Sequence, residues 1–583
     1  MKLIRFFLPR IEYILLAAIF WGVAASGPRI LNFDGDLPRH ILNGGLILQT
    51  GYVSTTDIYS FRTVGFPSIP HEWLSQVMFA SIYNWLGLNG VVLLTALIIM
   101  LTWLIVFRDS LARSNSLFAS LFFTALALGA AQIHVLPRPH IFTYLLTAVW
   151  IYLLERADDK KYHAQWLFPL LMLLWVNLHG MFVMGIFIGG IHLAGDFLDH
   201  PSKAWFSTVK AKTLLLGGGL SLIATFFSPS GIHIWEAIVS LGSNSYITSK
   251  IPEYQSANFH LPETWTYILM LLLVIVGFAR AGFKASWTHT LLIAAFTGLS
   301  LYTSRMIPLF AIVAVPIAAK MISEWIRQEY PQSRLLRIEE NIAKINSISN
   351  GAIWVVVIVL ATGSLLVSGR TIDIENRGNT FDSHFFPVEA VDWLESNPQQ
   401  GRMFNEFDWG GYLLLRLYPD QQIFMDGHTH IYGEELTKEY ERVIAIAPGW
   451  EDILARYDIT WVIVRKNAPL VNALTESGGW TVQYQDDTAI ILARGSSQGR
   501  ITSSSKRSRR PFRTPLPGCH PGAGSPQNKG RSWVGRAAGN YSRAGFWKGK
   551  YSRTDHDRRQ YPNTMRRLTI NISAPGTWTE CSY

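Results

Sequence analysis

The stretch FDGDLPRH, residues 33–40, puts two carboxylates, Asp34 and Asp36, one residue apart, with Arg39 and His40 directly after them. A carboxylate at an apolar boundary can take a proton from a hydroxyl or an amine. A guanidinium and an imidazole beside it can hold a phosphate, the arginine through paired hydrogen bonds. A base next to an anion site suits transfer of a group whose leaving group is a phosphate. Residues of the same kinds recur along the chain: His71 and Glu72; His134, Arg138 and His140 in HVLPRPH; Asn177 and His179; His233, Glu236 and Glu253; and Arg305 in YTSRMIP. Any one of them can be a solvated loop residue. Acids, cations and histidines gathered at apolar segment ends are costly unless paired or wetted, which argues for one shared site. The chain carries no Walker-type phosphate loop, no HExxH and no GxSxG, and the histidines of HTH at 428–430 are too sparse to claim a metal. No cofactor is required by the sequence; a divalent cation is left open.

The elements that must position these groups are apolar. Eleven segments are long or hydrophobic enough to be read as membrane helices: roughly 11–27, 89–107, 115–133, 141–155, 166–178, 181–197, 213–228, 264–280, 287–302, 306–323 and 351–369. Lys and Arg concentrate at one set of ends, from Lys2, Arg5 and Arg10 through Arg108, Arg113, Arg156 and Lys212 to Lys320 and Arg327. The other set carries only Arg29, Arg39, Arg62, Arg138, Lys250 and Arg305. That bias places the N-terminus in the cytoplasm and FDGDLPRH outside. The first apolar stretch is read as an uncleaved helix rather than a signal peptide. Segment 166–178 is short, and the next begins almost at once. A break there fits a polar cavity better than one helix over 166–197, which would carry Lys203, Lys210 and Lys212 outside. Because the polar ends face a leaflet, the phosphate they would hold can belong to a lipid.

The first outer loop, 28–88, contains RHILNGGLILQTG, spaced as a helix with one apolar face, and HEWLSQVMFASIYNWLG, a second amphipathic helix with interfacial tryptophans. After the last apolar segment the composition changes. FPVEAVDWLESN, EELTKEYERVIAI and WEDILARY read as helices; GRMFNEF, QQIFMDG, DITWVIVR, GWTVQYQD and TAIILAR read as strands. The expected layout is a transmembrane domain over 1–370, a small outer α/β domain over 371–496, and a tail over 497–583. The net charge of +10 resides in that tail, which includes Lys506, Arg507, Arg509, Arg510 and Arg513 and both cysteines, Cys519 and Cys581. Its Ser, Gly, Pro and Arg composition predicts disorder. Nothing upstream supports nucleic-acid binding, and a body without cysteine is not held by disulfides.

With these residues in view, the chain resembles the GT-C class of integral-membrane glycosyltransferases, which use polyprenyl-phosphate-linked sugars. It is most similar in pattern to bacterial protein O-mannosyltransferases and aminoarabinose transferases. The likeness rests on DLPRHILNGGLILQTG, where Asp36 falls at the class's catalytic aspartate and Arg39 at a frequent basic position. HEWLSQVMFASIYNWLG is similar to the class's second juxtamembrane helix. Gly35 separates acids that are adjacent in the class, and IPHEW stands where the class has Lys-Pro-Pro. The resemblance implies a multi-pass protein of the bacterial inner membrane with about eleven transmembrane helices and an extracytoplasmic C-terminal domain. Its activity would be transfer of a sugar from a polyprenyl-phosphate donor to an extracytoplasmic acceptor, among membrane lipids. Asp36, or Asp34, would be the base, and Arg39, His40, His71, Glu72, Arg138, His140, His179 and Arg305 would surround the lipid phosphate. A transporter of lipid-linked glycans and a non-catalytic assembly protein are the rivals. A transporter would place charge at the bilayer midplane and repeat its halves; neither is visible.

Overall fold

The computed structural model describes residues 7–159, 161, 163–281, 285–372 and 377–495. The tail, 497–583, lies outside the described residues.

Each of the eleven apolar segments falls on a helix. With the first outer-loop helix α2 and the helix α12 that precedes the last segment, these are in chain order α1 (Ile11–Ala25), α2 (Leu37–Thr50), α3 (Trp73–Ser114), α4 (Leu117–Ala131), α5 (His140–Leu154), α6 (Ala164–Leu178), α7 (Val183–Asp199), α8 (Val209–Ala224), α9 (Trp265–Ala281), α10 (Trp287–Tyr302), α11 (Ile307–Glu329), α12 (Arg334–Ile348) and α13 (Ile353–Val367). Among the described residues, five helical runs are long and apolar enough to cross a membrane: Trp73–Ser114, Leu117–His134, Gly180–Asp199, Pro262–Ala281 and Ser304–Glu329. A sixth exists if α12 and α13, bent by 75° at their junction, form one span. The remaining apolar helices are shorter. At 1.5 Å per residue, the 15 residues of α1 reach about 23 Å, less than a full hydrocarbon core. Length and composition therefore support five or six crossings where the sequence reading counted eleven.

Local sequence explains the element ends. The helix expected to open with HEWLSQ and the span after it form one run, α3, interrupted at Gly87. Gly87 has φ 61° and ψ −153°, a conformation essentially reserved for glycine, and it kinks the run where the amphipathic part meets the apolar part. Between α6 and α7 the chain breaks at His179, whose backbone is extended (φ −163°, ψ 141°). The two helices expected there are thus separate. From Ile307 to Ala319, α11 is apolar on every side and buried all round, as such a stretch must be. At its far end the helices are tied by ions: Asp109 accepts Arg156 at 2.8 Å and pairs with Arg113, which also meets Glu155 at 2.9 Å.

From Val388 the chain forms an α/β layer. Its helices are α14 (Val388–Ser396), α15 (Gly410–Leu417), α16 (Thr429–Ile444), α17 (Trp450–Arg456) and α18 (Pro469–Glu476). Its strands are β1 (Arg402–Asn405), β2 (Ile459–Arg465), β3 (Trp480–Gln485) and β4 (Ala489–Arg494), in the order β1-β2-β4-β3. β1 runs parallel to β2, and the other pairs are antiparallel, which is the mixed sheet the alternating pattern suggested. QQIFMDG is the exception. It forms no strand of this sheet, because Asn405 Oδ1 accepts its Phe424 and Met425 N–H groups and Tyr59 O accepts its Ile423 N–H. The apolar core runs without interruption from α1 and α11 to Trp409, Tyr412 and Trp461 of this layer.

The first outer loop fastens the two parts. α2 packs on the start of α3 so closely that a β-carbon on Gly44 would stand 1.9 Å from Gln76 O. Residues 52–72 then lie along the α/β layer. Ser60 and Ile423 form a parallel bridge, and Ser60 Oγ donates to Phe424 O at 3.1 Å. Arg62 donates to Glu439 at 2.8 Å with its guanidinium 4.0 Å over the Phe424 ring.

Candidate active site

The loop between α1 and α2 turns on Asp34, whose Oδ1 accepts the N–H of Asp36 at 2.9 Å. The turn leaves the acids in different surroundings. Asp34 is wholly buried, whereas the Asp36 side chain is 36% exposed. One guanidinium gathers both. Arg138, in the connection from α4 to α5, donates Nε to Asp34 Oδ1 at 2.7 Å and places Nη2 3.5 Å from Asp36 Oδ2. Its Nη1 donates to Glu253 at 2.7 Å. Burial would strip the charge from Arg138, but Asp34, Asp36 and Glu253 outweigh it and hold its pKa above the ordinary value. Burial pushes the Asp34 carboxyl up against the pull of Arg138, and Asp34 Oδ2 has no hydrogen-bond partner among the described residues. For Glu253, burial acts upward too, but Arg138 and Arg305 bring its carboxyl down to about 2.

Arg305 is the second cation of this corner. Its Nη1 donates to the Tyr254 hydroxyl at 2.9 Å, and its guanidinium lies 5.2 Å from that ring. It has no ion pair among the described residues. The consecutive Glu253 and Tyr254, in a 3-10 turn, thus hold one guanidinium each. Thr303 Oγ1 donates to Glu253 O at 2.7 Å, fastening this turn to the connection between α10 and α11.

Glu72 is a second centre. His71 and His179 each bring Nε2 to 3.5 Å of Glu72 Oε1, and His40 Nδ1 stands 4.0 Å from Oε2. Burial would raise the Glu72 carboxyl, but His71, with His40 and His179, holds it well below the ordinary range. Burial would lower His71, but Glu72 raises it. The rings of His428 and His430 lie 4.5 Å apart, and His430 is 6.0 Å from His71. His140 Nε2 meets His134 O at 2.8 Å. His179 Nδ1 meets Thr143 at 2.8 Å. Beside Glu72, a groove of about 260 Å³ is lined by Trp73, Leu74, Leu170, Leu173, Leu174 and Asn177, with Trp73 Nε1 donating to Asn177 at 2.7 Å. Among the described residues, no three His, Cys, Asp or Glu side chains are grouped to hold a metal ion.

Two sets therefore form from the residues singled out in the sequence. Asp34, Asp36 and Arg138 meet directly, and Glu72 meets His40, His71 and His179. Arg39 is engaged elsewhere: it is buried, pairs with Asp426, stands 3.6 Å from Asp57 and lies 4.9 Å over the Tyr59 ring. That leaves its guanidinium joining α2 to the α/β layer. His233 and Glu236 pair with each other at 2.9 Å on an exposed helix. Asp57 and Asp426 were not read from the sequence. Their partner is Arg39, and for Asp426 a pairing across 387 residues leaves no local pattern.

The α/β layer also seats Asp36. A β-carbon on Gly427 would stand 2.1 Å from Asp36 Oδ1, and one on Gly411 would stand 2.6 Å from Gly35 O. The acidic loop rests on bare backbone from both segments.

No protein-family model matches the chain, and no curated protein matches it. Solved structures do. The archaeal oligosaccharyltransferase AglB from Archaeoglobus fulgidus, in complex with an inhibitory peptide and a dolichol-phosphate, superposes with a TM-score of 0.50 at 11% identity, over 84% of this chain and 75% of that one. ArnT from Cupriavidus metallidurans bound to undecaprenyl phosphate aligns with a TM-score of 0.44 at 14% identity, over 83% and 98%. At such identity the likeness to AglB speaks for architecture alone: the chain shares the fold of that membrane protein.

Proposed function

We propose that this chain moves a sugar from a polyprenyl-phosphate-linked donor to an extracytoplasmic acceptor, with Asp36 as general base. One observation carries the reading: two acids from the first loop converge on Arg138, and only one of them, Asp36, is open to an incoming molecule. Access decides between the acids before intrinsic basicity does. Asp34 is closed in, and its work is to fix the Arg138 guanidinium and the backbone of Asp36.

In the reaction, the acceptor's hydroxyl or amine passes its proton to Asp36, and its oxygen or nitrogen bonds to the anomeric carbon of the sugar. The bond from that carbon to the phosphate oxygen breaks, and the electron pair leaves with the polyprenyl phosphate. Arg305, with no carboxylate partner among the described residues, is the cation assigned to that phosphate. Arg138 is already met by three carboxylates, and its part is to organise them. A low-dielectric rim strengthens both effects. The groove beside Glu72 has the apolar lining an isoprenoid chain needs.

The orientation proposed with this reading is the one the Lys and Arg bias gives: a bacterial plasma-membrane protein with the N-terminus cytoplasmic and the α/β layer and acidic loop outside. Asp36→Asn keeps shape and removes the proton acceptor. General-base help is typically worth about a hundred- to ten-thousand-fold in rate, so transfer from a polyprenyl-phosphate sugar in proteoliposomes should fall by that range with donor binding intact. Asp34→Asn should act mainly through loop geometry and lose less. Near-normal transfer in the double variant would sink the mechanism and favour the transporter.

A further inference from the structure

At the opposite ends of α10 and α11 from Arg305 lies a cleft of about 190 Å³ that the reading above does not use. Arg280 at the end of α9, Ser286 and His289 at the start of α10, and Lys320, Glu324 and Trp325 on α11 line it. Three observations mark it. Arg280 and Lys320 have no ion pair among the described residues; Arg280 lies 4.9 Å over the Trp325 ring instead. The Trp325 indole N–H is buried without a hydrogen-bond partner among the described residues, and an indole nitrogen can only donate. The N-terminal turn of α10 also faces this end, with the His289 N–H on Ser286 Oγ at 3.2 Å and the Trp287 N–H on Asp199 at 2.9 Å.

The charges that oppose an anion are few. Glu324 lines the cleft, Glu155 stands 3.3 Å from His289, and Asp199 is engaged by the Trp287 N–H. Two unpaired cations, one of them stacked on a ring, and an unsatisfied donor outweigh them. By the share each molecule takes of liquid water, about 30 Å³, the cleft has room for a phosphate and its immediate substituents.

We propose that this cleft binds a phosphate-bearing anion, held by Arg280, Lys320 and the Trp325 N–H, at the helix ends remote from the acidic loop. The chemistry fits both an anionic lipid headgroup and soluble phosphate. The test is native mass spectrometry of the full chain in detergent, titrated separately with phosphatidylglycerol, phosphatidylcholine and inorganic phosphate. The wild type should take up one phosphatidylglycerol or one phosphate in preference to phosphatidylcholine. Arg280→Gln with Lys320→Gln should weaken that uptake by at least about tenfold, the usual worth of a hydrogen bond to a charged group. Trp325→Phe keeps the ring and removes the donor, and should weaken it less. Glu324→Gln should tighten it, a gain that an unfolding variant cannot imitate. Uptake of phosphatidylglycerol without inorganic phosphate identifies a lipid site; uptake of inorganic phosphate identifies a soluble ligand. Uptake that is equal for all three probes, or unchanged in both the cation pair variant and Glu324→Gln, overturns the proposal.

Discussion

At the scale of single residues, the corner around Arg138 divides its labour by what each group already holds. Arg138 is saturated with carboxylates and Arg305 is not. The two arginines should therefore fail differently. Arg305→Ala should raise the KM for the lipid donor, with a smaller change in kcat, since it removes a group assigned to hold the phosphate. Arg138→Ala should lower kcat chiefly, because it frees Asp34 and Asp36 from their common anchor and leaves buried Asp34 unpaired. Steady-state kinetics against donor concentration separates the two; a matching KM effect in both variants would place the phosphate on Arg138 as well. His71 gives a pH signature. Its native pKa is raised by Glu72 above its ordinary 6.5, so its contribution to stability is full below pH 6.5 and is lost as the pH climbs through the raised value. Thermal unfolding temperatures in detergent should decline over that window in the wild type, and the decline should flatten in His71→Gln.

At the scale of elements, the two glycines under the acidic loop make a contrast. Gly427 faces a side chain, Asp36 Oδ1, which can rotate aside. Gly427→Ala should leave the melting temperature nearly unchanged while lowering transfer, because the relief consists of moving the base. Gly411 faces the backbone oxygen of Gly35, which cannot rotate aside. Gly411→Ala should cost about 1–3 kcal/mol of stability, the usual penalty for overpacking, seen as a lower melting point. Equal melting losses in both would mean the loop moves as one body. The same elements show what the sequence disclosed. Apolar runs and their interruptions were legible, down to the break at His179, because the period and length of a hydrophobic run are local properties. QQIFMDG carried a strand's composition, yet its N–H groups are taken by Asn405 and by Tyr59 of the outer loop. Gly410–Leu417, opening with two glycines, folds as a helix on the tertiary support of Trp409, Tyr412 and the loop above it. Asp36 and Arg138 were readable as chemical types, but the seat beneath Asp36 and the second partners of Arg39 come from residues 57 and 411–427, and no periodicity reports them.

At the scale of the whole molecule, topology is the claim on which the rest depends. Among the described residues, the helical runs long enough to cross number five or six. An enzyme reporter that folds only outside the cytoplasm, fused after residue 400, should be active, and its cytoplasmic counterpart at the same position should be silent. The opposite result would put the acidic loop, which is bound to the α/β layer through Arg39, Ser60 and Arg62, on the cytoplasmic side. That would remove an extracytoplasmic acceptor from the proposal.

The binding of Asp36 and Arg39 to residues 426 and 427 also sets a clock. Arg39 and Asp426 are 387 residues apart. At common synthesis rates of about 5–20 residues per second, about 20–80 s pass between the two emerging from the ribosome. During that interval the helices enter the bilayer with the acidic loop unsupported and its arginine unneutralised by Asp426. A ribosome that stalls anywhere in this interval therefore leaves behind a chain whose acidic loop has none of the partners that the α/β layer supplies.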